Sequence, residues 1–143
     1  MKILRTIHHI LLVDDDRDDC ELFEEALHDF ASHIKFSCLT NPLTLLSTVE
    51  ELQPDLIFLD VNMPKKNGFE CLDEIKRSGK LARIPIIMYS NTGRPEDVDA
   101  AYRKGVALFL KKPPTYTGLI GSLKEVIEKE WNKFGSVCQP DFL

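Results

Sequence analysis

Asp14, Asp15, Asp60, Ser90 and Lys112 are the residues through which this sequence could do chemistry. Each stands at the end of a short apolar run. The run at 10–13 stops at Asp14 and Asp15, that at 56–59 at Asp60, that at 86–89 at Ser90, and that at 106–110 at Lys111 and Lys112. Three carboxylates gathered in one shallow site repel one another, which raises their pKa values or demands a cation. A hard divalent ion with oxygen ligands meets that demand. Mg²⁺, or Mn²⁺ in its place, takes a few carboxylates, several waters and the phosphate oxygens of a substrate. A lysine ammonium nearby would pair with one phosphoryl oxygen, and a serine hydroxyl would donate to another. Acid, metal, hydroxyl and ammonium together make a phosphoryl-transfer site. Its nucleophile is expected to be a carboxylate, since no His or Cys occupies these strand ends and Ser90 has no base beside it. Aspartyl phosphate is an established covalent form.

These residues are far apart in sequence, so the fold must bring them together. Unbroken apolar runs suit strands buried on both faces of a parallel sheet, whereas the alternation over residues 34–39 suits an edge strand. Helical spacing fills the intervals. It is carried by Cys20, Phe23, Leu27 and Phe30; by Leu43, Leu46, Val49 and Leu52; and by Phe69, Leu72 and Ile75, closed by Gly79. It continues in Val98, Ala101 and Tyr102 before Gly105, and in Leu119, Leu123, Val126, Ile127 and Trp131 before a stop at Gly135. Asn41-Pro42 and Pro95 are expected helix starts. Five strands alternating with five helices predict a layered α/β domain with right-handed crossovers. Ligands of such sheets bind beyond the carboxyl ends of the strands, where the polar residues stand.

The chain of 143 residues suits one domain: 43% of its residues are hydrophobic and 29% charged. A net charge of -5 with no basic run longer than a pair argues against a nucleic-acid surface. Cys20, Cys38, Cys71 and Cys138 show neither CxxC spacing nor a metal-ligand pattern. They are read as reduced thiols in a cytoplasmic protein. No signal peptide or membrane span is expected. The domain is expected to span 1–143, with a core at about 7–134 and an irregular tail at 135–143.

The ordered set Val13-Asp14-Asp15, Asp60-Val61-Asn62-Met63-Pro64 with Gly68 eight residues after Asp60, Tyr89-Ser90 and Lys112-Pro113 resembles the receiver domain of two-component response regulators. The match runs over nearly the whole chain. The resemblance implies a flavodoxin-like, doubly wound sheet of order 2-1-3-4-5, and a stand-alone regulator similar to chemotaxis regulators. Asp60 would take phosphate from a histidine kinase or a histidine phosphotransfer protein. Asp15 and Asp60 would ligate Mg²⁺ directly, Asp14 through water, and Asn62 through its backbone carbonyl. Lys112 would neutralise the acyl phosphate, Ser90 would move toward it, and Phe109 would swing with Ser90. Lys112-Pro113 would be a cis-peptide candidate. Output would be a protein–protein contact through the fourth helix, fifth strand and fifth helix, to a downstream target or a second copy, with no DNA-binding domain. Two residues depart from the commonest pattern. Phe109 stands where many receivers carry Tyr, and Asn91 follows Ser90 where a small residue is usual.

Blander readings accompany each piece. Acids after a strand favour a helix start, and Asp16, Asp18 and Asp19 are read so. Asp14, Asp16, Asp18 and Glu25 mimic an EF-hand, but Asp19 replaces its glycine and a strand precedes it. Met63-Pro64 and Asn67-Gly68 supply turn chemistry. His8, His9, His28 and His33 lack ligand spacing. An aspartyl phosphatase of the haloacid-dehalogenase type would instead attack from Asp14, and would need a later acidic pair that the segment after Ser90 does not supply. A degenerate receiver used only for docking would not need the complete acid, hydroxyl and lysine set.

Overall fold

The computed structural model describes residues 6–129. Five parallel strands, β1 (His9–Val13), β2 (Lys35–Leu39), β3 (Leu56–Asp60), β4 (Ile86–Ser90) and β5 (Leu108–Lys111), form one sheet of order β2-β1-β3-β4-β5. Between and after them lie α1 (Arg17–Ala31), α2 (Leu45–Leu52), α3 (Gly68–Lys76), α4 (Pro95–Arg103) and α5 (Tyr116–Glu128). This is the flavodoxin-like sheet order that the resemblance implies.

The apolar runs become the inner strands because helices cover both faces. β1, β3 and β4 are buried at every residue, while β2 is partly exposed at the edge. The two-residue side-chain period of a strand then divides the core in two. Ile10, Leu12, Phe58, Ile87 and Leu108 pack on Phe23 and Leu27 of α1 and on Leu119, Leu123 and Val126 of α5. Leu11, Val13, Ile57, Leu59 and Met88 face Leu45 and Val49 of α2, Leu72 and Ile75 of α3, and Ala101 of α4. Truncating one of these side chains to Ala would cost roughly 2–5 kcal/mol. Strand ends between two filled layers are held firmly.

Local signals start the helices where expected, with adjustments. Asp16 caps α1 by accepting the Asp18 N–H, Thr115 caps α5, and Asn67 and Glu70 form a reciprocal capping box on α3. Pro95 opens α4. Asn41-Pro42 opens a 3-10 turn, Pro42–Thr44, and α2 proper begins at Leu45. Gly79, at φ +39°, follows the end of α3 and begins a second 3-10 segment, Gly79–Arg83. Trp131, Gly135 and Cys138 lie outside the described residues.

Two expectations are corrected. Cys20 and Cys38 are joined as a disulfide, with Cα atoms 6.2 Å apart, and are not reduced thiols. The parallel β1–β2 crossover lays α1 against the edge strand, and that separation falls within the range a disulfide spans. The Lys112-Pro113 bond is trans. Proline makes the cis isomer accessible but still prefers trans by about 0.5–1 kcal/mol. Among the described residues no helix is long and apolar enough to cross a membrane.

Candidate functional site: an acidic pocket at the strand ends

Asp14 follows the last residue of β1, and its own N–H donates to Leu39 O of β2 at 3.0 Å. Asp60 is the last residue of the neighbouring β3. The sheet order therefore sets the two acids side by side. Asp14, Asp15 and Asp60 each present a carboxylate oxygen, all within 4.8 Å of one another. Asp14 and Asp60 are 0% and 5% exposed, whereas Asp15 is exposed.

Lys112, one residue past β5, reaches into this pocket. Its Nζ lies 3.1 Å from Asp14 Oδ2, 3.4 Å from Asp60 Oδ1 and 2.9 Å from Asp19 Oδ2. It also sits 5.2 Å from the centre of the Tyr89 ring. Its backbone N–H donates to Ser90 O at 2.6 Å, which fixes the end of β5 to the end of β4. Ser90 is 1% exposed, and its Oγ accepts the Thr92 N–H at 3.2 Å.

Electrostatics follow from burial. The Asp60 carboxyl is pushed up to about 6 by loss of solvent and then by the charge of Asp14, with Lys112 opposing. Burial also raises the Asp14 carboxyl, against the Asp16 N–H and Lys112. Burial alone would lower the Lys112 ammonium, but its hydrogen bond to Asp19 and the charges of Asp14 and Asp60 outweigh it and raise its pKa. The pocket thus holds more negative charge than one ammonium balances. Its ligand atoms are all oxygens, the donor set a hard divalent cation selects.

Asn62 lies two residues past β3 and is exposed. Phe109 is 5% exposed and packed in the core layer with Val98 and Tyr102 of α4, beside Met88 of β4 in register. Gly68 is required by close approach. A Cβ there would meet Asp60 O at 2.5 Å and Val61 Cα at 2.9 Å. Its N–H donates to Val61 O, closing the turn behind Asp60.

Two residues of the site escaped the sequence. Asp19, read as a helix-start acid, is the nearest ion-pair partner of Lys112. The available signal was its place just before Cys20, the first buried position of α1. Tyr102, placed by helical spacing alone, accepts the Phe109 N–H on its hydroxyl at 3.0 Å. Helical spacing placed it on α4 but carried no sign of this contact.

Residues 10–124 match the family of the response regulator receiver domain. The chain is 32% identical over 129 residues to the response regulator Rcp1 of Synechocystis sp., an alignment covering 85% of this chain and 87% of that protein. The crystal structure of the phosphorylated cyanobacterial phytochrome response regulator RcpA resembles it with a TM-score of 0.78 at 26% identity, covering 95% of this chain and all of that one. The Mn(2+)-bound form of response regulator Rcp1 does so with a TM-score of 0.71 at 31% identity, covering 94% of this chain and 99% of that one. An acidic pocket of Asp14, Asp15 and Asp60, the receiver sheet order and this sequence match agree: the chain belongs to the response regulator receiver domain family.

Proposed function

We propose that this receiver is a phosphorylation switch in which Asp60 takes a phosphoryl group from the phosphohistidine of a histidine kinase or a histidine phosphotransfer protein. The supporting observation is the position of Asp60, at the end of a central strand, beside Asp14 and within 3.4 Å of the Lys112 ammonium. A carboxylate oxygen of Asp60 attacks phosphorus as the N–P bond of the donor breaks. The bond electrons return to the imidazole nitrogen, and an acyl phosphate forms.

Asp14, Asp15, Asp60 and the backbone carbonyl of Asn62 would hold Mg²⁺, with Mn²⁺ as a substitute. The all-oxygen donors and the excess negative charge of the pocket fit such an ion. When bound, it would neutralise the crowded carboxylates and draw charge from the phosphoryl oxygens.

Lys112 holds the product by pairing with a phosphoryl oxygen, an interaction strengthened by its near-complete burial. Ser90 donates its hydroxyl to another oxygen and so reads the modification. The phosphoryl group carries about -1.5 to -2 charges, in place of the single charge of the Asp60 carboxylate, beside β4 and β5. Ser90 and Phe109 convert that charge into a shifted face of α4, β5 and α5, which contacts a downstream protein or a second copy of the chain.

Acetyl phosphate with Mg²⁺, read by intact mass, tests the assignment. One phosphoryl group should appear on the wild-type chain, more slowly on Asp14→Asn, which loses a metal-holding carboxylate, and none on Asp60→Asn. Labelling that survives Asp60→Asn but is lost in Asp14→Asn would move the nucleophile to Asp14.

A further inference from the structure

We propose that Asp19 is a positioning residue that holds Lys112 in the unphosphorylated protein and competes with the phosphoryl group for it. The inference rests on the reading of Asp60 as phosphoacceptor.

Three carboxylates share one ammonium, and they differ in what they would lose by releasing it. Asp19 is the nearest, at 2.9 Å, and Asp60 the farthest, at 3.4 Å, so the resting ammonium leans toward α1. Asp14 has a fully buried side chain, and its other oxygen already accepts the Asp16 N–H at 3.0 Å. Leaving Asp14 without Lys112 would strand a buried charge, which is expensive. Asp19 is 33% exposed, so water can replace the ammonium there at little cost. When negative charge builds on Asp60, the contact to Asp19 is the one that yields.

Asp19 also has leverage through its place in α1. It lies in the first turn of a helix whose start is fixed by the Asp16 cap and whose next residue, Cys20, is buried and bonded to β2. Its backbone is therefore held at a fixed point beside the lysine. Removing that charge should free Lys112 for the phosphoryl oxygens and remove a repulsive anion near them. Both effects have the same sign.

The test is binding of beryllofluoride, a phosphoryl mimic, in the presence of Mg²⁺, followed by the amide resonances of Asp60 and Ser90. Asp19→Asn should bind it roughly two- to five-fold more tightly than wild type, the scale of a partly exposed ion pair. Asp19→Glu, which restores the charge, should return affinity toward wild type. Equal or weaker binding by Asp19→Asn would overturn the proposal and show that Asp19 is neutral or helps to present Lys112. If wild type itself fails to bind the mimic, or Asp60→Asn binds it equally, the assignment of Asp60 fails instead.

Discussion

The Phe109 N–H of β5 donates to the Tyr102 hydroxyl of α4 at 3.0 Å. Phe109 has no hydroxyl where many receivers carry one, and α4 brings one to the backbone of the same residue. The contact joins Phe109, which with Ser90 forms the proposed switch, to a helix of the proposed output face. Tyr102→Phe keeps the ring in its packing layer and removes this acceptor. It should lower stability by about 1 kcal/mol, the net worth of a partly buried hydrogen bond. The Phe109 amide should exchange faster with solvent, while Leu56–Asp60 amides stay protected. Unchanged exchange at Phe109 would show that the hydroxyl does not hold β5.

Asp60 should make the metal-free protein less stable at neutral pH. Its folded carboxyl keeps a proton up to about pH 6, whereas its ordinary value is 3.8. The folded state therefore binds more protons between those values, and stability falls as pH rises from about 4 to about 6. Above that window the deficit is constant, on the order of 3 kcal/mol. With a chelator present, Asp60→Asn should accordingly be the more stable protein at pH 7.5, and its advantage should shrink as pH drops toward 4. Added Mg²⁺ should favour wild type and narrow the gap. Urea midpoints across pH check this, and a variant no more stable than wild type at pH 7.5 would contradict it.

The sequence carried the fold because apolar runs and helical spacing each follow from burial on a known face. The same runs carried the site, since a chain leaving a buried strand must return to polar residues at its end. Asp14, Asp15, Asp60, Ser90 and Lys112 were legible for that reason. Asp19, Tyr102 and the Cys20–Cys38 pair were not. Each depends on how an α-helix is rotated against its sheet, and a residue one place off the buried stripe can face solvent or a neighbour with equal ease. Cysteine spacing is least informative, because an 18-residue separation has no meaning until the crossover is built.

The disulfide should respond to reductant. Cys20 is buried, with its Sγ 3.7 Å from Asp14 O, while Cys38 is exposed on the edge strand. Opening a cross-link that closes a loop of this size should lower the free energy of unfolding by roughly 3 kcal/mol. Urea curves with and without a phosphine reductant measure it. Cys38→Ser should start at the lower stability and ignore the reductant. If wild type ignores it as well, the two sulfurs are not bonded in solution.

Gly68 should be the least replaceable glycine of the chain's described part. A methyl group there would press on Asp60 O and Val61 Cα, and both are backbone atoms that no side-chain rotation can clear. The strand end or the start of α3 must therefore shift. Gly68→Ala should cost about 2 kcal/mol, as overpacking does. Because the displaced atom belongs to the proposed phosphoacceptor, it should also slow labelling by acetyl phosphate on the order of tenfold or more. Gly121 supplies the control. It lies inside α5 with nothing within 4 Å of an added Cβ, so Gly121→Ala should raise stability by roughly 0.5–1 kcal/mol through helix propensity and leave labelling unchanged. Normal labelling by Gly68→Ala would show that the turn behind Asp60 relaxes without moving the carboxylate.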